Sequence, residues 1–262
     1  MTEAEQALRQ MSYYRITGYA FQFLNVNGRY RKGTSFKVVI ALHNFDQKLR
    51  SILLSHLEKV ELYVRTQIAY EFSLAHGSSG HYDVQNFREP KYHAEFLIAL
   101  SDAIRKNEGA PFVYHHQIKY GGRMPLWCAS EILSFSTISK LYRNMLPADQ
   151  AIIAKTMNVA PDYMINWLHC LSVLRNICAH YGRIYNNRMS PPIKLGGKTL
   201  RKHPDLKSDT ILAYIVIMLR VLPRTVDRSR LSKEITELMD ECDSVLELGL
   251  LGFPASWRTF FK

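Results

Sequence analysis

Residues 36–76 read F-K-V-V-I-A-L-H-N-F-D-Q-K-L-R-S-I-L-L-S-H-L-E-K-V-E-L-Y-V-R-T-Q-I-A-Y-E-F-S-L-A-H, and this stretch decides the fold class. Phe45, Leu49, Ile52, Leu57, Val60, Val64, Ile68 and Phe72 recur at steps of three to five. Such spacing draws one apolar stripe along a long helix. No Pro or Gly interrupts the run between Thr34 and His76, and Gly77-Ser78-Ser79-Gly80 supplies the break that ends it.

Along the rest of the chain, the same period predicts helices over 91–106, from Pro111 to Tyr120, over 136–145, from Pro161 to about Tyr181-Gly182, and over 208–222 and 229–248. Gly121-Gly122-Arg123-Met124-Pro125 reads as a loop. So does 183–207, where Pro191-Pro192 and Gly196-Gly197 leave room for a small hairpin. There is no strand-turn-strand rhythm and no internal repeat. The expected fold is all-α, one helical bundle with extra helices and a basic loop. It is read as a single domain over 1–262: an N-terminal helical segment 1–35, a core 36–182 with its motif helix 161–182, the basic loop 183–207, and C-terminal helices 208–262.

With 262 residues, 47% hydrophobic and 22% charged, the chain can bury a core and is not of the disordered class. Cys128, Cys170, Cys178 and Cys242 are scattered without a C-x-x-C pair. Buried free thiols in a reducing compartment are therefore expected, and no cofactor or metal is. The acidic, polar start M-T-E-A-E-Q does not fit a signal peptide, and Ile211–Leu219, nine apolar residues, is too short to span a bilayer. The expected location is cytoplasmic, with no membrane partner.

The formal net charge is +11. Between Arg183 and Arg230 stand eleven basic residues and three acidic ones, so 11 minus 3, or +8, lies in this segment. Among them are Arg183, Arg188, Lys194, Lys198, Arg201 and Lys202. A concentrated positive segment points to an anionic partner, with nucleic acid foremost.

The segment comes directly after L-R-N-I-C-A-H-Y-G-R, residues 174–183. On a helix, Asn176 and His180 are four apart and stack on one face, whereas Arg175 and His180 differ by about 140°. His can act as base or acid near neutrality, and Arg holds phosphate oxygens with a permanent charge. The pair suits cleavage of RNA through its ribose 2′-hydroxyl, a nucleophile DNA lacks. It also suits plain capping of a helix C-terminus, where cations are favoured. Arg50 with His56 and Arg88 with His93 have similar spacing, but the first pair faces different sides of a helix and Pro90 interrupts the second.

The stretch L-R-N-I-C-A-H-Y-G-R-I-Y-N resembles the signature of the Abi-like abortive-infection proteins of bacteria, the AbiD and AbiF type, within the wider HEPN superfamily. M-S-Y-Y-R-I-T-G-Y (11–19), L-H-N-F-D-Q-K-L-R (42–50), E-L-Y-V-R-T (61–66) and M-P-L-W-C-A-S-E-I-L-S-F-S (124–136) are similar to further segments of that family, in its order, over about residues 10–190. The resemblance implies an all-helical, metal-independent endoribonuclease, often a homodimer, that serves as a phage-defence toxin. A small noncoding RNA or an antitoxin is implied as its neutralising partner. Arg175, Asn176 and His180 take the motif positions, and Tyr181 stands where a second His is common. The rival reading is a non-catalytic module that binds RNA or senses phage.

Around the motif, Arg183, Tyr185 and Asn186 are candidates for phosphate or ribose contact, or for anchoring the loop. Tyr14, Arg15 and Tyr19 can stack bases or pack. Glu61 and Arg65 are expected to form an ion pair, and Trp127 with Glu131 to brace the core. Leu195-Gly196-Gly197-Lys198-Thr199 is a basic turn rather than a phosphate loop, because Pro192 stands where Gly is needed. His115-His116 has no partner at metal-ligand spacing.

Overall fold

A computed structural model describes residues 3–261. The helices succeed one another as α1 (Glu3–Gln10), α2 (Tyr13–Ala20), α3 (Phe36–His76), α4 (Pro90–Lys106), α5 (Pro111–Tyr120), α6 (Leu126–Ile132), α7 (Phe135–Asn144), α8 (Pro147–Thr156), α9 (Pro161–Ala179), α10 (Gly197–Lys202), α11 (Ile211–Val221), α12 (Thr225–Glu241) and α13 (Leu248–Leu251). Among the described residues there is no strand, only two isolated bridges, Leu24 with Tyr30 and Phe87 with Met145. The fold is all-α.

The 41 residues of α3 bury Leu42, Phe45, Leu49, Leu53, Leu57, Val60, Val64, Ile68 and Phe72, at steps of three and four. Leu53 takes the buried place expected for Ile52, which is half-buried, because four residues on from Leu49 keeps the stripe in phase. Gly77 ends the helix at φ 74, its N–H on the carbonyl of Ser73 at 2.9 Å. This left-handed stop favours glycine. Pro at the first turn opens α4, α5 and α8.

The described chain forms two compact units. Unit 1 comprises Met1–His56, Arg175–Arg220 and Arg224–Lys262, and unit 2 comprises Leu57–Leu174 and Val221–Pro223.

Unit 2 holds several polar side chains at buried or half-buried positions. Arg65 pairs with Glu61 as expected, and it also donates to the carbonyls of Ser130 (2.7 Å) and Glu131 (3.2 Å), filling acceptors at the end of α6. Trp127 does not brace the core: it is 50% exposed, since α6 turns Leu126, Ala129 and Ser130 inward instead. His76 meets Asp149 at 3.0 Å.

His81 is fully buried, and neither ring nitrogen has a hydrogen-bond partner among the described residues. Burial, with smaller contributions from His93 and Arg123, lowers its pKa from 6.5 to about 4. A folded-state pKa below the unfolded one means that the unfolded chain takes up its proton first as pH falls. The neutral ring's contribution to stability is therefore complete above about pH 6.5, declines as pH falls, and is lost by about pH 4, amounting to about 3 kcal/mol. Urea unfolding at about pH 7.5 and about pH 5 is expected to show about 2 kcal/mol of this loss, and His81→Phe to shrink the difference between the two.

In unit 1, residues 183–207 form no hairpin. The backbone is instead fastened alongside residues 208–209, with Met189 N–H on Asp209 O (2.8 Å) and Ile193 N–H on Ser208 O (2.9 Å), while Met189, Ile193 and Leu206 are buried. The basic turn expected over 195–199 runs instead into a short helix, α10, from Gly197 to Lys202. Cys170 and Cys178 are buried, but Cys128 and Cys242 are only half-buried; all four are free thiols. No helix among the described residues is long and apolar enough to cross a membrane.

Candidate functional site

The R-N-x-x-x-H motif falls at the C-terminal end of α9. The amide of His180 donates to the carbonyl of Asn176 at 2.9 Å, so the two lie one turn apart, and both side chains are exposed. Arg175 is half-buried.

The helix then stops in a six-residue cap. Gly182 N–H bonds to Ile177 O at 2.7 Å, and Tyr181 N–H to Cys178 O at 3.3 Å, the pair of bonds of a Schellman motif. Gly182 is not the left-handed residue of this cap. Tyr181 adopts that conformation, at φ 59. Gly182 is needed for a different reason: a Cβ there would lie 2.9 Å from the Ile177 side chain and 3.2 Å from its carbonyl oxygen. A bulky residue in the left-handed region is strained and persists where its surroundings hold it. Here Arg15 donates to Tyr181 O at 2.8 Å, and its guanidinium lies 6.0 Å from the Tyr181 ring.

The chain beyond the cap is tied to α3 by one carboxylate. Asp46 is fully buried; it accepts from the Tyr19 hydroxyl (2.7 Å), from Ile184 N–H (3.2 Å) and Tyr185 N–H (2.8 Å), and from the Arg50 guanidinium. Arg50 also reaches Gly182 O at 3.2 Å. Burial foremost, then the Asp46 charge, raises the Tyr19 pKa and keeps its hydroxyl protonated. Tyr19 is thus packed rather than available for stacking, whereas Tyr14 is 85% exposed.

Of the two alternatives for the candidates just past the motif, this arrangement favours loop anchoring for Tyr185 and Arg183. Tyr185 is buried, and its hydroxyl accepts Glu247 N–H at 3.2 Å, so it presents nothing to RNA. Arg183 spends a guanidinium nitrogen on Gly18 O, an anchoring role. Asn186 is half-buried and sits at φ 51, a conformation Asn tolerates. Farther on, Lys194, Lys198, Arg201 and Lys202 are exposed, as is Arg188, 3.4 Å from Asp209.

A groove of about 710 Å³ borders the motif, lined by Arg15, His43, Asn44, Gln47, Arg50 and Tyr181 among others. The flanking residues of His180, Ala179 and Tyr181, belong to its wall. His43, Asn44 and Gln47 sit inside the segment 42–50, where no local pattern marks them as site residues. Cys178 also faces this groove. Burial drives its pKa up to about 12, with Arg50 opposing and Asp46 adding, so it is a protonated thiol and no nucleophile.

Fold and site together define an all-α protein whose exposed Asn-His helix end, with Arg175 beside it, leads into a basic segment. The family described as "Abi-like protein" matches residues 6–186, and the chain belongs to that family. None of the curated proteins and none of the solved structures matches the chain.

Proposed function

We propose that this Abi-like protein is a metal-independent endoribonuclease of HEPN type that acts in the cytoplasm as an abortive-infection toxin. The single observation that carries the reading is the position of the motif. Asn176 and His180 are exposed one turn apart, at a helix end fixed by the Asp46 anchor, in the same unit as exposed Lys194, Lys198, Arg201 and Lys202.

His180 serves as general base or general acid, Arg175 stabilises charge on the phosphorane, and Asn176 orients His180 or the phosphate. Arg188 and the exposed lysines and arginines of 194–202 hold the strand, mainly through phosphates. Attack by the ribose 2′-oxygen on phosphorus, with loss of the 5′-oxygen, leaves a 2′,3′-cyclic phosphate and a 5′-hydroxyl. Each chain carries one motif histidine. A homodimer would bring two motifs together and supply base and acid from different subunits. A small noncoding RNA or an antitoxin would hold the activity in check between infections.

Purified protein is expected to cut RNA in excess EDTA and to leave those ends; abolition by the chelator would contradict the mechanism. The exposed setting of the motif also fits a non-catalytic RNA-binding module. That reading predicts bound but covalently intact RNA.

A further inference from the structure

Unit 2 contains a cavity of about 360 Å³ between α4 and α7, lined by Arg88, Tyr92, Phe96, Lys140, Arg143 and Ile165 among others. That volume lies within the range of small-molecule sites. None of these residues belongs to the motif or to the basic segment.

The frame of the cavity is fixed by buried polar groups. Phe87 pairs with Met145 in an antiparallel bridge, and Arg88 N–H donates to Asn144 O at 2.9 Å. The Asn144 side chain accepts from Glu89 N–H (3.1 Å) and donates to Glu89 O (3.0 Å). Gln150 donates to the carbonyls of Tyr142 and Arg143, both at 2.9 Å, and the Tyr142 hydroxyl returns a bond to Gln150 O at 2.9 Å. Asn144 and Gln150 are buried, and such satisfied networks hold a backbone rigidly. Both arginines therefore project from pinned backbone.

The side chains on this frame are unmatched. Arg88, Lys140 and Arg143 are exposed, and no ion pair joins them to an acid among the described residues. Phe96 and Ile165 give an apolar floor, and Tyr92 offers a half-exposed ring. Guanidinium and ammonium groups bind phosphate oxygens, and aromatic rings stack planar bases. Glu89 and Glu95 also line the cavity. They would repel a bare polyanion but accept hydrogen bonds from ribose hydroxyls or base N–H groups.

We propose that this cavity binds a nucleotide, its phosphate held by Arg88, Lys140 and Arg143 and its base against Tyr92. The nucleotide is free in solution or is one unit of an RNA strand, and the same chemistry serves either. Calorimetric titration of the full chain with ATP, AMP, pyrophosphate and hexauridylate tests this without requiring any RNA cleavage. ATP or AMP binding assigns a free nucleotide; hexauridylate binding with neither assigns a strand. In either case Lys140→Ala and Arg143→Ala, both at exposed positions, are each expected to weaken binding about tenfold. Tyr92→Ala should weaken nucleotide but not pyrophosphate binding. The proposal is overturned if no nucleotide probe binds below roughly 10 mM, if pyrophosphate alone binds, or if binding is indifferent to Lys140→Ala and Arg143→Ala.

Discussion

On the proposed function, replacing His180 by Ala is expected to slow RNA cleavage by about 10²- to 10⁴-fold, the usual cost of losing an acid-base group. The fold should persist, because His180 is exposed and its backbone bond to Asn176 does not involve the ring. Thermal unfolding of the variant should therefore match wild type while single-turnover cleavage collapses. If the variant cuts RNA at the wild-type rate, His180 is not the proton-transfer group. Arg175→Ala should lower the rate as well, through lost charge stabilisation at the phosphorane.

The second large effect falls on stability. Asp46→Ala is expected to cost about 3–5 kcal/mol, the range for breaking a buried ion pair by removing one partner. It strands the Arg50 guanidinium, which is 6% exposed, and removes the acceptor for Tyr19 and for the amides of Ile184 and Tyr185. Against a typical total of about 5–15 kcal/mol, that is a large share. Urea unfolding measures it directly, and a loss below about 1 kcal/mol would contradict the anchoring role. Asp46→Asn should fall between, since its amide keeps one oxygen for the backbone donors but no charge for Arg50. Hydrogen exchange in the Asp46 variants should rise first over residues 182–185.

Local repetition is the part of this fold that is legible in the sequence. The long stripe from Leu42 to Phe72 declares α3 because its period holds along most of the helix, and the prolines at 111 and 161 mark true helix starts. Helix α8 was not legible: its apolar residues Ile152 and Ile153 are adjacent rather than spaced, and Ile152 is half exposed. The hairpin expected within 183–207 fails for a related reason. Its Pro and Gly pairs do mark bends, but the backbone at Met189 and Ile193, whose side chains are buried, pairs with residues 208–209 rather than within the segment.

The one-turn spacing of Asn176 and His180 was legible because the two are four residues apart on one helix. The Asp46 anchor was not, since it joins residues 27, 138 and 139 positions away through hydrogen bonds that no local pattern encodes. That same contact is why Tyr185, a surface candidate from its place after the motif, lies in the core. Charge counting located a positive segment correctly but could not tell Arg183, turned inward to Gly18, from exposed Lys198 and Arg201.

The proposed function has Arg175 and His180 cutting RNA. Its most direct test maps the ends of cellular RNA after expression of wild-type and His180→Ala protein side by side. New 5′-hydroxyl ends paired with 2′,3′-cyclic phosphates in the wild-type sample alone are the predicted result. Intact RNA in both samples, or the same new ends in both, would contradict it.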